Sequence, residues 1–305
     1  MTKKAIVLVL IIALAFLGMQ AFAQTAVPVS QRGYANPNSL ISAEALEHII
    51  DRDNVKVVDF RPLTGFATGH IPGAIRIDRN DVADSTAAFN LMAASPEQVA
   101  EVLASNGIRP SDTVVVYCDN GMWASRIWWL LSMYGHEDVR ILDGGLNRWK
   151  DLGMNTRIIG RRSGTAEYHF ANPGTATLAT IADVQAAVND STVVLDTRSL
   201  AEFVGETPGG GAGQGGRIPG AVRVEWNQAL NADGTFKTAA ELQSLYASAG
   251  ITGDAPVIAY CLGGVRAAHS MFVLEQLLGF ENIYNYDGSW LEWSNTAGLP
   301  IATGN

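Results

Sequence analysis

The sequence predicts an α/β protein made of two tandem copies of one domain, each a mostly parallel sheet with helices on both faces. Short β-branched runs alternate with helical stretches, the order that a parallel sheet covered on both faces requires. Blocks of the first half return in the same order in the second half, which marks a duplicated domain rather than a short-period solenoid. The 305 residues, at roughly 100–200 per domain, leave room for two such units.

From the N-terminus, Lys3 and Lys4 precede an unbroken apolar stretch from Ala5 to Leu17, and Ala21-Phe22-Ala23 comes before Gln24. This is the charged, apolar and small-residue order of a secretory signal peptide. Residues 1–23 are therefore expected to be cleaved after Ala23, and the mature chain to be periplasmic or secreted. The stretch is shorter than the roughly 20 residues of a membrane span, so no membrane association is expected after cleavage; an uncleaved anchor is the competing reading.

The first copy is assigned to residues 35–158. Val55–Asp59, Thr113–Tyr117 and Val139–Leu142 read as strands buried on both faces. The stretch 95–107 reads as a helix with a Ser95 cap, acidic or amide residues in its first turn and a glycine stop; 124–135 reads as a second helix ending at Gly135. The turn-rich residues 159–175 are the linker, and the second copy spans 176–303. There "TVVLDTRS" (192–199) answers "VKVVDFRP" (55–62), and "GRIPGAVRVE" (216–225) answers "GHIPGAIRID" (69–78). "PVIAYCLGG" (256–264) answers "TVVVYCDNG" (113–121), and "IYNYDGSWLEW" (283–293) answers "VRILDGGLNRW" (139–149). The helices 238–250 and 266–279 repeat the two of the first copy.

The net charge of −9 becomes more negative once Lys3 and Lys4 are removed, which argues against nucleic-acid or anionic-membrane partners. A local site for a small anion remains compatible with it. The 48% apolar and 17% charged residues are those of ordinary well-packed domains.

Two cysteines in an exported chain raise a Cys118–Cys261 disulfide as a first reading. Their equivalent positions in two copies place them too far apart for the Cα separation of about 7 Å that a bridge tolerates. Each lies at a strand's carboxyl end, where ligands bind in such sheets. After Cys261 the chain runs Leu262-Gly263-Gly264-Val265-Arg266 into a helix. Glycines allow successive N–H groups to face one concavity, the helix N-terminus adds about half a positive charge, and Arg266 adds a whole one. Those surroundings lower a thiol pKa, so Cys261 reads as a nucleophile, with a packed core thiol as the bland alternative.

These blocks resemble the tandem-domain rhodanese family, the thiosulfate and 3-mercaptopyruvate sulfurtransferases. "GHIPGA", "LDGGLNRW", "YDGSWLEW" and "LDTRSLAEFVGETP" carry the resemblance, which covers residues 40–300. It implies that Cys261 takes a sulfane sulfur as a persulfide, cradled by the N–H groups from Leu262 to Arg266. The implied donor is a small anion such as thiosulfate, its oxyanion held by Arg266 and Arg217, and the acceptor a thiol or cyanide. The alternatives are 3-mercaptopyruvate as donor, or a non-enzymatic sulfur carrier or partner-binding module. Leu262-Gly263 matches neither the basic pair of thiosulfate-type members nor the Gly-Ser pair of mercaptopyruvate-type members. Cys118 is a candidate second or vestigial nucleophile: Asp119 follows it, and Trp123 stands where Arg266 stands in the second copy. The first loop therefore lacks the arginine that would offset that carboxylate.

Other features are set aside. "GAGQGG" (211–216) has the letters of a dinucleotide fingerprint but neither the strand before it nor the helix after it, so a flexible loop is expected. Four residues separate Cys261 from Arg266, where the related cysteine phosphatases have five, and the tighter loop suits one sulfur atom. The histidines His48, His70, His136, His169 and His269 show no metal-ligand spacing, and neither a metal nor an organic cofactor is implied. Asp59–Arg61 and Asp196–Arg198 read as structural pairs, and the tryptophans as packing.

Overall fold

In the computed structural model, which describes residues 27–160, 164–171 and 177–304, the chain folds into two five-stranded sheets. The first contains β1 (Leu40–Ile41), β2 (Val55–Asp59), β3 (Ile75–Arg76), β4 (Thr113–Tyr117) and β5 (Val139–Leu142), in the order β1-β5-β4-β2-β3. The second contains β6 (Thr177–Ala179), β7 (Val193–Asp196), β8 (Val222–Arg223), β9 (Val257–Tyr260) and β10 (Ile283–Tyr286), in the order β6-β10-β9-β7-β8. Every strand pair in both sheets is parallel. The signal peptide expected over residues 1–23 lies outside the described residues, as does part of the linker. Among the described residues no helix is long and apolar enough to cross a membrane.

The helices begin where the sequence places caps. Ser95 accepts a hydrogen bond from the Gln98 N–H ahead of the helix Pro96–Ser105. Thr238 and Glu241 close a reciprocal capping box ahead of Ala239–Ala247, which satisfies two otherwise orphaned donors. The helix Met122–Tyr134 stops at Gly135, whose φ of 92° only glycine adopts without strain. Its counterpart Val265–Phe272 runs on through a single π turn, Val273–Leu277.

These two helices pack against each other at the centre, with the rings of Trp128 and Phe272 4.9 Å apart edge to face. Their buried residues join both sheets into one core, and smaller cores lie on the outer faces. The tryptophans Trp128, Trp129, Trp149, Trp290 and Trp293 are all buried, as packing residues should be. Residues 27–39, mostly outside the expected first domain, strap the halves together. Arg32 donates to Asp143 of the first copy at 2.7 Å and to the Phe236 carbonyl of the second at 2.9 Å. Ala35 and Asn36 N–H groups reach the carbonyls of Leu277 and Gln276.

The two copies repeat one buried network. Arg61 forks onto Asp59, which also accepts from the Tyr117 hydroxyl at 2.6 Å; Arg198, Asp196 and Tyr260 do the same. Each arginine also donates to a main-chain oxygen, of Gly69 or Gly216, so the pairs fix the turn before β3 and β8. The Gly211–Gly216 segment is a loop without a following helix. It is tethered rather than free: Asn295, Ser294 and Trp290 bond to it from the helix Ser289–Asn295.

Candidate active site

Cys261 directly follows β9 and is buried, as is Cys118 directly after β4, and both are free thiols, which removes the disulfide reading. The loop after Cys261 is shaped by the helix Ser289–Asn295 beneath it. The Trp290 and Leu291 N–H groups bind the carbonyls of Cys261 and Leu262, both at 3.0 Å. In a trans peptide the N–H points opposite to its C=O. Drawing those carbonyls to the helix therefore turns the Leu262 and Gly263 N–H groups the other way, into the concavity of the loop.

Ser289 is the residue that sequence reasoning missed. Its hydroxyl accepts from the Cys261 N–H at 3.1 Å and the Gly264 N–H at 2.9 Å, and donates to the Tyr286 carbonyl at 2.7 Å. It is fully buried and sits at φ 50°, a conformation that costs a non-glycine residue roughly 1–2 kcal/mol. Gly264, expected to point its N–H at the sulfur, thus bonds to Ser289 instead. Gly264 is required where it stands: φ is 72°, and a Cβ would strike the carboxylate of Asp287. Gly145 is the first-copy counterpart of Ser289, and a Cβ there would collide with the Cys118 and Asp119 carbonyls. The signal was the last repeat block itself, where "DGG" changes to "DGS".

Arg266 faces the thiol and is simultaneously forked onto Glu202, at 2.7 and 2.8 Å. Burial alone would raise the Glu202 pKa, but the Arg266 hydrogen bonds and charge override it and hold the carboxyl down at about 2. Burial opposes the charged form of Arg266 too, yet Glu202 and the Cys261 sulfur together raise its pKa. Arg217 does not share this position. Its guanidinium donates to the carbonyls of Gly304 and Phe203 and stacks on the Phe203 ring, so none of these contacts reaches the Cys261 loop. Of the two arginines expected at the donor, only Arg266 has contacts among the described residues that reach Cys261.

The mouth of the loop is apolar and belongs partly to the other half of the molecule. A Cβ on Gly263 would lie within 4 Å of Leu291, Leu91 and the Asn90 carbonyl. Leu262 packs more closely still on Gly209, where a Cβ would stand 2.7 Å from it. The excursion between the bridged residues Ala83 and Ala93 therefore lies against the loop that follows the second-copy cysteine. It is held there by Asp287, which accepts from the Ala93 N–H at 2.7 Å, and by Arg126, which binds both Asp287 and the Leu91 carbonyl. His269, at the Arg126 position of the second copy, is buried among the rings of Phe236 and Trp226. No group of three or more His, Cys, Asp or Glu side chains able to hold a metal gathers among the described residues.

The rhodanese-like domain family matches residues 42–152 and again 180–296. The chain belongs to that family. Among relatives of the rhodanese-like chain, a sulfur carrier protein, TtuD, of Thermus thermophilus is 35% identical over 89% of this chain and 99% of that protein. A thiosulfate sulfurtransferase of Corynebacterium glutamicum is 36% identical over 89% of this chain and 92% of that one. In structure the chain is similar to an anaerobic ergothioneine biosynthesis enzyme from Chlorobium limicola, solved in complex with trimethyl histidine. There the TM-score is 0.80 at 28% identity, covering 89% of this chain and 72% of that one. A related structure, at TM-score 0.79 and 27% identity, holds a cysteine persulfide in a tetrahedral intermediate state with ergothioneine; it covers 89% of this chain and 72% of that one.

Proposed function

We propose that the protein is an exported sulfurtransferase that moves a sulfane sulfur from a small anionic donor such as thiosulfate, through a Cys261 persulfide, to a thiol or cyanide. The observation that carries the reading is the Arg266 guanidinium beside a thiol at the start of a helix, with loop carbonyls drawn away from it. The Cys261 thiolate attacks the outer sulfur of thiosulfate; the new S–S bond forms as the old one breaks, and sulfite leaves with the electron pair. Arg266 and the inward N–H groups stabilise the charge that passes from thiolate to sulfite. A nucleophile on the acceptor then takes the outer sulfur and returns the thiolate, so two half-reactions and ping-pong kinetics follow.

A sulfur carrier is the second reading. It is favoured by the fork of Glu202 on Arg266, which neutralises the cation an oxyanion would use, and by the apolar mouth of leucines. Peptide mass spectrometry after thiosulfate, without reductant, tests the first reading. One added sulfur on the Cys261 peptide, removed by cyanide as thiocyanate over many turnovers, is the expected result. Sulfur that loads once and leaves only to a protein thiol supports the carrier, and an unmodified Cys261 overturns both.

A further inference from the structure

The first-copy loop carries its own arginine, delivered from a different element. In the aligned repeat Trp123 takes the place of Arg266, and Arg79 takes the place of Trp226, so the two side chains have exchanged positions between the copies. The exchange is visible in space: the Arg79 guanidinium carbon lies 3.6 Å over the Trp123 ring. Among the described residues the buried Arg79 Nε has no hydrogen-bond partner. Arg61 adds a second guanidinium, 3.5 Å from Asp119, which sets that carboxylate against a cation. The Leu146 and Asn147 N–H groups draw the Cys118 and Asp119 carbonyls away, at 2.9 and 3.2 Å, just as Trp290 and Leu291 do in the second copy. The loop opens through Asp119 and Asn120 onto a polar cavity of about 550 Å³ between the two halves, with Lys150, Asp151, Trp226 and Asp233 on its other walls.

We propose that Cys118 is a second sulfur-accepting nucleophile, with Arg79 serving it as Arg266 serves Cys261, and that it takes sulfane sulfur from a small anionic donor entering by this cavity. The reaction is the same displacement: the Cys118 thiolate bonds to the outer sulfur of thiosulfate, the donor S–S bond breaks, and sulfite departs with its electrons. The thiol proton passes to solvent, and cyanide later removes the outer sulfur as thiocyanate. Burial pushes the Cys118 thiol up, against hydrogen bonds to its sulfur from the Ala124, Asn120 and Trp123 N–H groups. Burial likewise pulls the Arg79 pKa down, and the charge of Cys118 opposes it. The site is thus assembled for sulfur, with burial working against its thiolate.

The proposal uses the donor chemistry of the proposed function, and the test separates the two. Wild type, Cys261→Ser and Cys261→Ser/Arg79→Met are incubated with thiosulfate, and each cysteine peptide is weighed. The expected result is one sulfur on Cys118 in the Cys261→Ser protein, discharged by cyanide, with loading at least tenfold slower when Arg79 is methionine. Sulfur on Cys261 of the wild type with Cys118 bare in every variant overturns the second site and leaves the proposed function standing. Sulfur on Cys118 alone in the wild type supports the second site and removes the assignment to Cys261. Sulfur on neither cysteine overturns both. Equal loading with and without Arg79 overturns the role given to that arginine.

Discussion

At the scale of single residues, the Cys261 loop depends on one hydroxyl. Ser289 holds the N–H groups at both ends of the loop while keeping a backbone conformation that glycine would adopt more easily. Ser289→Gly therefore separates the two effects. Relief of the backbone favours the variant by about 1–2 kcal/mol, whereas each buried N–H left without a partner costs about 1–3 kcal/mol. Because two N–H groups are stranded, a net loss of stability is expected, together with a fall in kcat/KM for thiosulfate and cyanide of about tenfold, the scale of a ~1.4 kcal/mol loss. Steady-state kinetics beside thermal unfolding checks both; unchanged kinetics would mean the loop holds its shape without the hydroxyl. That Cys261, its glycine loop and Arg266 gather at one strand end was legible in the sequence, because they are close neighbours along the chain. Ser289 and Arg79 were not, because each acts across space from another repeat block. The exchange of Arg79 with Trp226 shows only when two distant columns of the repeat are compared together.

At the scale of elements, strands and helix starts were readable because they rest on local chemistry: β-branched runs, capping side chains, glycine stops. What the local pattern could not show is which way a helix residue faces once the copies are packed together. Arg126 and His269 occupy the same place on their helices, yet one binds Asp287 and the other is sealed among aromatic rings. Burial lowers the His269 pKa to about 3, and neither ring nitrogen has a hydrogen-bond partner among the described residues. The unfolded chain, with an imidazole pKa near 6.5, therefore binds a proton that the folded chain refuses. Stability contributed in this way is whole above about pH 6.5 and is lost as the pH falls toward 3. Glu202, depressed to about 2, acts with the same sign, but only below the usual carboxylate range. His269→Leu should narrow the difference in melting temperature between pH 7.5 and pH 5, a window in which Glu202 contributes little. Calorimetry at the two pH values tests it, and an undiminished difference would assign the acid sensitivity to other groups.

At the scale of the whole molecule, the two copies clasp each other by a repeated device. Asp287 accepts the Ala93 N–H of the first copy, and Asp143 accepts the Phe236 N–H of the second at 2.9 Å. Each carboxylate is balanced by one arginine, but the arginine comes from the central helix in one case (Arg126) and from the N-terminal strap in the other (Arg32). The clasp at Asp287 also positions the Ala83–Ala93 excursion, including Leu91 at φ 72°, against the Cys261 loop. Stability and turnover should consequently part company when it is cut. Arg126→Met leaves the Asp287 carboxylate buried without its cation, a change expected to cost about 3–5 kcal/mol. Adding Asp287→Asn removes the stranded charge while keeping an oxygen for the Ala93 N–H, so most of that stability should return. Activity at Cys261 should not return with it, because the Leu91 carbonyl has still lost the guanidinium that held the excursion in place. Denaturant unfolding and thiosulfate kinetics on the two single variants and the double variant decide the matter. Parallel recovery of both quantities would mean that the excursion merely covers the Cys261 loop and does not shape it.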